Sequence, residues 1–428
     1  MYKNKEGIKI YNLAKKLWPY NRSLTGDGNR KTLRILKKIS INLKINNFKS
    51  GEKVFDWKIP EEWKIKDAYI KNSKGEKILD FKKNNLILLG YSKPITKKIS
   101  YKELIKKIYY LKESPTAIPY ATSYYKKDWG FCMSYNQFKN ISPSETFYIK
   151  IDSSFLKNGK MDYGEILIKG KSDKEVFIST YICHPSMANN ELSGPCLSIY
   201  LAKFLSRFNL NYSYRFIFIP ETIGSIAYLS KNLNHMKKKV IAGFNITCVA
   251  GKNIFSFLST KYSNKLIDKI TLKIFEKNNI EFKTCSWLER GSDERQYQSP
   301  FIDIPVVSIM RSKYNNYKEY HTSLDNLDFI SSKSFQASFD IYKKIIFELE
   351  KNIFPTTQIL CEPNLGKRNM YPKLSIKKSN KTTSNVILNF LTYCDGTNSL
   401  SDIQRKIKST KKDVEKIYKL LLKKKIIK

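Results

Sequence analysis

Apolar residues recur at two different spacings along this chain, and the changes of spacing mark its parts. Near the N-terminus Ile10, Leu13 and Leu17 fall at i, i+3 and i+7. After breaks at Pro19, Asn21, Gly26 and Gly28 an apolar pattern resumes at Leu33, Ile35 and Leu36. This predicts two helices separated by a turn over residues 8–45. Between 55 and 147 the pattern shifts to short β-like runs, Ala68-Tyr69-Ile70 and Leu86-Ile87-Leu88-Leu89, set between turn signals such as Ser73-Lys74-Gly75 and Ser92-Lys93-Pro94. One helix is expected there, over 101–111, followed by an aromatic stretch containing Tyr120, Tyr124, Tyr125, Trp129, Phe131 and Tyr135. The segment reads as an inserted β-rich domain.

From 147 to 350 strands and helices alternate. Strands are predicted over 165–168, 176–182, 214–219, 241–249 and 305–310, and helices over 194–207, 223–233, 264–278 and 332–351. Apolar strands alternating with helices predict a mixed or parallel sheet covered on both faces, an α/β fold. A loop rich in proline, asparagine and lysine (355–381) then leads to three short helices over 386–391, 400–407 and 413–422, with Asp413 as the N-cap of the last.

Composition narrows the class. A chain of 428 residues exceeds one ordinary core, and at about 150 residues per domain two to four are expected. Hydrophobic residues make up 41% and aromatics 13%, enough to build cores and to set disorder aside. The apolar runs fall far short of the roughly 20 residues of a membrane helix. Met1-Tyr2-Lys3-Asn4-Lys5-Glu6 lacks the apolar centre of a secretory signal, so a cytoplasmic protein without a membrane span is expected. Seven cysteines without a C-x-x-C pair read as reduced thiols. The net charge of +40 comes from lysines spread along the whole chain, which suits solvated faces better than a polyanion groove.

The chain has three histidines. His184 follows the strand predicted over 176–182, in Cys183-His184-Pro185-Ser186, and His321 lies after the strand over 305–310, in Tyr320-His321-Thr322-Ser323. Both fall beyond the carboxyl ends of strands, where open α/β sheets place their sites. His235, beside Lys237, reads as a surface residue. Glu221 ends the strand over 214–219 and precedes a helix; alone it is an ordinary first-turn residue, but in register with the two histidines it becomes a candidate general base. Arg290, Asp293, Glu294 and Arg295 cluster in one loop, with Arg311, Lys313 and Tyr320 shortly before His321. Arginine forks grip carboxylates and phosphates, so these residues are candidates for holding an anionic substrate, with Arg22 as a weaker one.

The order strand–His, Ser193-Gly194 opening a helix, strand–Glu–x–x–Gly and a late His resembles the co-catalytic zinc aminopeptidase superfamily. Several stretches are similar to the aminopeptidase-like proteins found among polysaccharide-biosynthesis genes: Leu17-Trp18-Pro19 with Asn21-Arg22-Ser23-Leu24-Thr25-Gly26, Ile118-Pro119-Tyr120, Trp129-Gly130-Phe131-Cys132, Pro220-Glu221-Thr222-Ile223-Gly224 and Arg290-Gly291-Ser292-Asp293-Glu294-Arg295. The resemblance spans nearly the whole chain. It implies a zinc-exopeptidase-like mixed sheet with helices on both faces, an inserted peptidase-associated β domain and a C-terminal winged helix. The expected parts are N-terminal helices of the core (1–54), the insert (55–147), the α/β core (148–352), a linker (353–383) and the winged-helix module (384–428).

The departures from that superfamily are informative. By register from Ser193-Gly194 the bridging Asp of a two-zinc site falls on Asn190, the second Glu of a Glu-Glu pair on Thr222, and the later Asp on Thr247. Neutral groups cannot offset two divalent charges. The resemblance therefore implies one zinc, held by His184, His321 and an oxygen of Asn190 or Glu191, with Glu221 as base. The first reading is a metal-dependent hydrolase of the aminopeptidase type, cleaving an amide or peptide bond of a small anionic substrate, linked to surface polysaccharide only through the family's association. The second is a degenerate peptidase that binds ligands or proteins. The third is a winged-helix DNA-binding regulator. Residues 368–428 carry 16 Lys or Arg against 4 Asp or Glu, but no Arg or Asn is placed to read bases. A protein partner through the winged helix is expected in preference to specific nucleic acid; a homo-oligomer is compatible with the sequence.

Overall fold

The strand Glu175–Tyr181 is buried at every position, as befits a strand covered on both faces. In the computed structural model, which describes residues 4–40, 42–370, 383–396 and 398–428, this strand lies inside an eight-stranded mixed sheet. The spatial order is Lys44–Lys49, Lys160–Ile168, Ser213–Ile219, Glu175–Tyr181, Val240–Asn245, Val306–Arg311, Phe255–Leu258 and Phe282–Cys285. Its centre is parallel: Glu175–Tyr181 pairs in parallel with both Ser213–Ile219 and Val240–Asn245, and the latter in parallel with Val306–Arg311. Antiparallel strands flank this centre. The α/β class read from the alternation is therefore the observed one. The strand Val240–Asn245 ends earlier than the apolar run 241–249 suggests, because the chain turns through Cys248 at a positive φ of 54°. Three strands of this sheet were not expected from the sequence: Lys44–Lys49, Phe255–Leu258 and Phe282–Cys285. Lys44–Lys49 and Phe282–Cys285 are edge strands and Phe255–Leu258 has only four residues, so the period-two signal of each is weak.

The helices Lys5–Leu17 and Asp27–Ile39 pack on Ser193–Leu205 and on the Lys160–Ile168 strand. Ile10, Leu13, Leu17, Leu33 and Leu36 are buried there, whereas Ile35, the other apolar position of that pattern, is only half-buried. A second, antiparallel sheet has the order Lys77–Asp80, Glu62–Lys71, Thr146–Leu156 and Ile95–Ser100. Residues 148–156, assigned from the sequence to the core, belong to this sheet, and the large sheet resumes only at Lys160–Ile168.

Two local expectations are corrected. The helix expected over 101–111 is one turn, Tyr101–Leu104, started by a Ser100–Glu103 capping box, and it gives way to a strand, Ile108–Tyr109, that pairs with Phe131–Cys132. The run Leu86-Ile87-Leu88-Leu89 is not a strand: the Asn84 side chain accepts from the Leu86 amide and nucleates a 3-10 turn over Asn85–Ile87.

The chain divides into two compact units, 1–345 and 346–428. The second has helices Thr383–Thr392, Leu400–Lys406 and Lys411–Lys423 around a core that includes Leu365, Phe390, Ile403, Ile417 and Leu421. Its last helix is capped by Thr410, whose hydroxyl accepts from the Asp413 amide, so Asp413 is a first-turn residue and not the N-cap. Thr356 and Thr357 bridge to Asp395 and Ile427, which puts part of the expected linker into the unit's small β pairing. Leu365 of that linker lies in the unit's core, and residues 371–382 lie outside the described residues. No helix among the described residues is long and apolar enough to cross a membrane.

Candidate active site

The parallel strands end side by side, and their carboxyl ends deliver His184, Glu221 and the 247–248 turn to one place. Nε2 of His184 lies 3.7 Å from Oε2 of Glu221. The His184 and His321 rings stand with centroids 5.3 Å apart. Nε2 of His321 faces Oδ1 of Asn190 at 3.2 Å. Residues 137 positions apart are thus neighbours, and the three side chains singled out by strand register converge.

Four non-glycine residues around this point have left-handed backbone: Ser186 (φ 41°), Thr222 (φ 62°), Cys248 (φ 54°) and His321 (φ 53°). For a β-branched residue such as Thr222 this is an unfavourable conformation, and such strain persists where surrounding bonds over-determine it. Those bonds are visible. The Thr222 amide donates to Oδ1 of Asp293 at 2.7 Å, and Arg295 donates to the Thr222 hydroxyl at 2.8 Å. The neighbouring segment Ala188–Leu192 is a π-helical turn, which projects Asn190 inward just before the helix Ser193–Leu205.

Asn190 is held on every side. Its amide donates to Asp325 at 2.9 Å, its side-chain NH2 donates to Oη of Tyr181 at 2.9 Å, and its carbonyl accepts from Tyr181 and Thr247 at 2.8 and 2.7 Å. This leaves Oδ1 directed at His321. Asp325 is fully committed as well, accepting from the amides of Asn189 and Asn190 and the Tyr317 hydroxyl. Glu191, the other oxygen considered from the sequence, takes Nε of Arg22 on both carboxylate oxygens at 2.9 and 3.0 Å, and both side chains are completely buried. It is an internal ion pair, not an open ligand.

Electrostatics favour neutral imidazoles. Burial holds His184 well below the usual histidine value, and it pushes His321 down to about 4. The Cys183 thiol sits 3.4 Å from Nδ1 of His184 and accepts the Glu221 amide at 3.2 Å, linking the two residues from behind. Burial, reinforced by the Asp293 charge, raises the Glu221 carboxyl to about 8. Its Oε1 accepts the Ser292 hydroxyl at 2.7 Å.

The arginine-rich loop divides into two kinds of residue. Arg290 and Arg295 are exposed, whereas Asp293 and Glu294 are buried. Glu294 accepts from the Gly291 and Ser292 amides, the Tyr314 hydroxyl and Asn245, so it braces the loop and leaves no oxygen open to a substrate. Asp293 accepts from Thr222 and Ser225, while its Oδ2 is buried without a hydrogen bond. Arg311 donates to the Gly251 carbonyl and lies 4.9 Å over the Phe255 ring. Lys313 is buried against Tyr314. Tyr320 stacks on His321 with centroids 3.9 Å apart. His235 lies apart, 3.0 Å from Glu175.

Tyr120, Tyr181, Cys183 and Ser292 also belong to the site, and their individual roles were not apparent from the sequence. Tyr120 comes from the inserted segment, yet its ring packs 5.1 Å from His184 and 5.2 Å from His321. A backbone pairing carries it there: the Tyr120 amide donates to the His321 carbonyl and the Ser323 amide to that of Ile118, both at 2.8 Å. The motif Ile118-Pro119-Tyr120 was the available signal.

The donor set can be tested against zinc. Two imidazoles on one tetrahedral zinc stand with centroids about 5 Å apart, and the two rings here are 5.3 Å apart. Both are kept neutral, as ligation requires. Asn190 Oδ1, 3.2 Å from Nε2 of His321, is the oxygen that would complete a set of three for a single ion. A second ion lacks charged partners, because Asn190, Thr222 and Thr247 are neutral while Asp325 and Glu191 are committed elsewhere. Among the described residues no three His, Cys, Asp or Glu side chains form a ready cluster; the site offers two histidines and an amide instead.

This sheet, with its site at the ends of the parallel strands, defines an aminopeptidase-like fold. The chain aligns with the zinc aminopeptidase BSAP of Bacillus subtilis with a TM-score of 0.60 at 14% identity, over 80% of this chain and 94% of that one. A peptidase M28 precursor from Shewanella amazonensis aligns at 0.56 with 11% identity, over 84% of this chain and 97% of that one. More narrowly, residues 11–352 match the domain of unknown function DUF4910 and residues 352–428 a winged helix-turn-helix, and the chain belongs to the DUF4910 family. It is 42% identical over 401 residues to a Clostridium acetobutylicum protein described as a candidate polysaccharide biosynthesis protein with aminopeptidase-like domain, covering 94% of this chain and 91% of that protein. A crystal structure of a candidate peptidase from the same organism aligns with a TM-score of 0.80 at 40% identity, over 100% of this chain and 97% of the other.

Proposed function

We propose that this chain is an aminopeptidase-type amide hydrolase that works with one zinc ion, on a small anionic substrate connected with surface-polysaccharide formation. The observation that carries the reading is the convergence of His184, Glu221 and His321, with Nε2 of His184 3.7 Å from Oε2 of Glu221. His184, His321 and Oδ1 of Asn190 would hold the ion, whose chemistry is Lewis acidity at the scissile carbonyl. In its ionised form, which predominates above about pH 8 in the metal-free site, Glu221 carries the proton: Oε2 takes it from the attacking water and returns it to the leaving amine. Ser292 fixes the carboxyl by its bond to Oε1. Tyr120 and Tyr320 wall the two imidazoles and exclude bulk water from them. Exposed Arg290 and Arg295 would meet the substrate's negative charge at the rim. The link to polysaccharide rests on the description of the Clostridium relative.

The test is a panel of amino-acyl and N-acyl-sugar amides, assayed with zinc, cobalt and manganese in wild type and Glu221→Gln. Turnover by wild type that the variant loses supports the hydrolase. Equal inertness of both, with ligand binding retained, makes the chain a degenerate peptidase that binds without turnover. The neutral Asn190, Thr222 and Thr247 favour that second reading. The winged-helix unit is proposed to contact a protein partner.

A further inference from the structure

A cavity of about 460 Å³ opens beside the inserted sheet, separate from the His184 cluster and within the size range of small-molecule sites. Its lining combines two chemistries. One is aromatic: Tyr91 is buried and meets Tyr124 edge-on at 5.2 Å and Phe155 at 6.0 Å. Tyr125, 58% exposed, extends this wall to the surface, where its ring meets Trp57 at 5.7 Å. The other is cationic. Lys58, Lys126, Lys127 and Lys157 line the cavity with a single carboxylate, Glu61. Lys127 neutralises Glu61 at 2.9 Å. The other three lysines make no ion pair among the described residues, so a field of uncompensated positive charge surrounds an apolar wall.

We propose that this cavity binds an acidic sugar of the hexuronate type, free or as one ring of a short oligosaccharide. Flat aromatic walls give an apolar face against which the C–H face of a sugar ring rests, and the lysines meet its carboxylate. A nucleotide diphosphate is less well served, because the lining has no arginine fork and no helix N-terminus to gather adjacent phosphates. The cavity is joined to the catalytic cluster by side-chain contact. The hydroxyls of Tyr124 and Tyr120 are 2.6 Å apart, and Tyr120 packs on both His184 and His321. A glycan seated here would lie one tyrosine pair away from the reacting bond. The proposal names the substrate class and rests on the polysaccharide part of the proposed function, but not on turnover.

The experiment is calorimetric titration of the full chain with tetragalacturonic acid, with maltotetraose and UDP as comparators. Tetragalacturonate should bind, maltotetraose should not, and binding should weaken with salt. Tyr125→Ala, and separately Lys126→Gln with Lys157→Gln, should each weaken it about tenfold while Glu221→Gln leaves it unchanged. These residues are exposed, so unchanged circular dichroism separates lost contacts from lost folding. No binding of tetragalacturonate, equal binding of maltotetraose, insensitivity to both variants, or displacement of tetragalacturonate by UDP each overturns the proposal. Binding that depends on these residues in a chain inert on every amide leaves this site standing and removes the hydrolase. Turnover without such binding does the reverse.

Discussion

The hydroxyl of Ser292 donates to Oε1 of Glu221 at 2.7 Å, tying a loop 71 residues downstream to the end of a central strand. The bond leaves Oε2 facing His184 and fixes the direction in which Glu221 exchanges a proton. Removing it frees the carboxyl, and a hydrogen bond to a charged group is worth about 1.5–3 kcal/mol. Ser292→Ala should therefore lower kcat by roughly tenfold to a hundredfold with little change in zinc content. Glu221→Gln should lower it by at least about a hundredfold. Parallel kinetics and thermal melts check both. A Ser292→Ala chain as active as wild type would remove Ser292 from the catalytic arrangement.

Metal content gives a second prediction. Protein purified without chelator and supplemented with zinc should contain one ion per chain, and His184→Ala or His321→Ala should abolish it. Elemental analysis after gel filtration is the measurement. Asn190→Asp restores a carboxylate beside His321 but leaves Thr222 and Thr247 neutral, so it should not bring the stoichiometry to two. A wild-type value of zero would end the one-zinc reading.

The Arg22–Glu191 pair should dominate stability near the site. Both side chains are completely buried and Nη2 of Arg22 has no partner. Removing one member strands the other charge, at a cost of about 3–5 kcal/mol. Arg22→Ala and Glu191→Ala should each lower Tm by many degrees, whereas Arg290→Ala, on the exposed part of the loop, should leave it nearly unchanged. A small shift for both buried variants would mean that the remaining partner becomes neutral or hydrated.

The charge excess of residues 368–428 predicts weak, sequence-independent DNA binding by the full chain that fades steeply between 50 and 200 mM salt. Fluorescence anisotropy with unrelated duplexes reads this out. Salt-resistant nanomolar affinity for one defined site would instead make the chain a regulator.

The alternation of strands and helices, the strand-end positions of His184 and Glu221, and the buried faces of the first two helices were legible in the sequence. Each depends on local periodicity or on the residue that ends an element, and local chemistry is written in neighbouring residues. The short helix at Tyr101–Leu104 and the four-residue strands Phe255–Leu258 and Phe282–Cys285 were not, because pairing with distant partners outweighs local propensity there. The same limit governs the site. Nothing local in Glu191 or Asn190 says which is taken: tertiary packing buries Arg22 against Glu191 and turns Asn190 Oδ1 toward His321. Tyr120 reaches the histidines only through backbone pairing across some 200 residues, and Asp293 and Glu294 leave the surface because Thr222, Ser225 and Tyr314 supply their donors inside. Sequence determined which chemical groups stand at the strand ends. Tertiary structure decided which of them remain open, because burial and competing hydrogen-bond partners are properties of the assembled core.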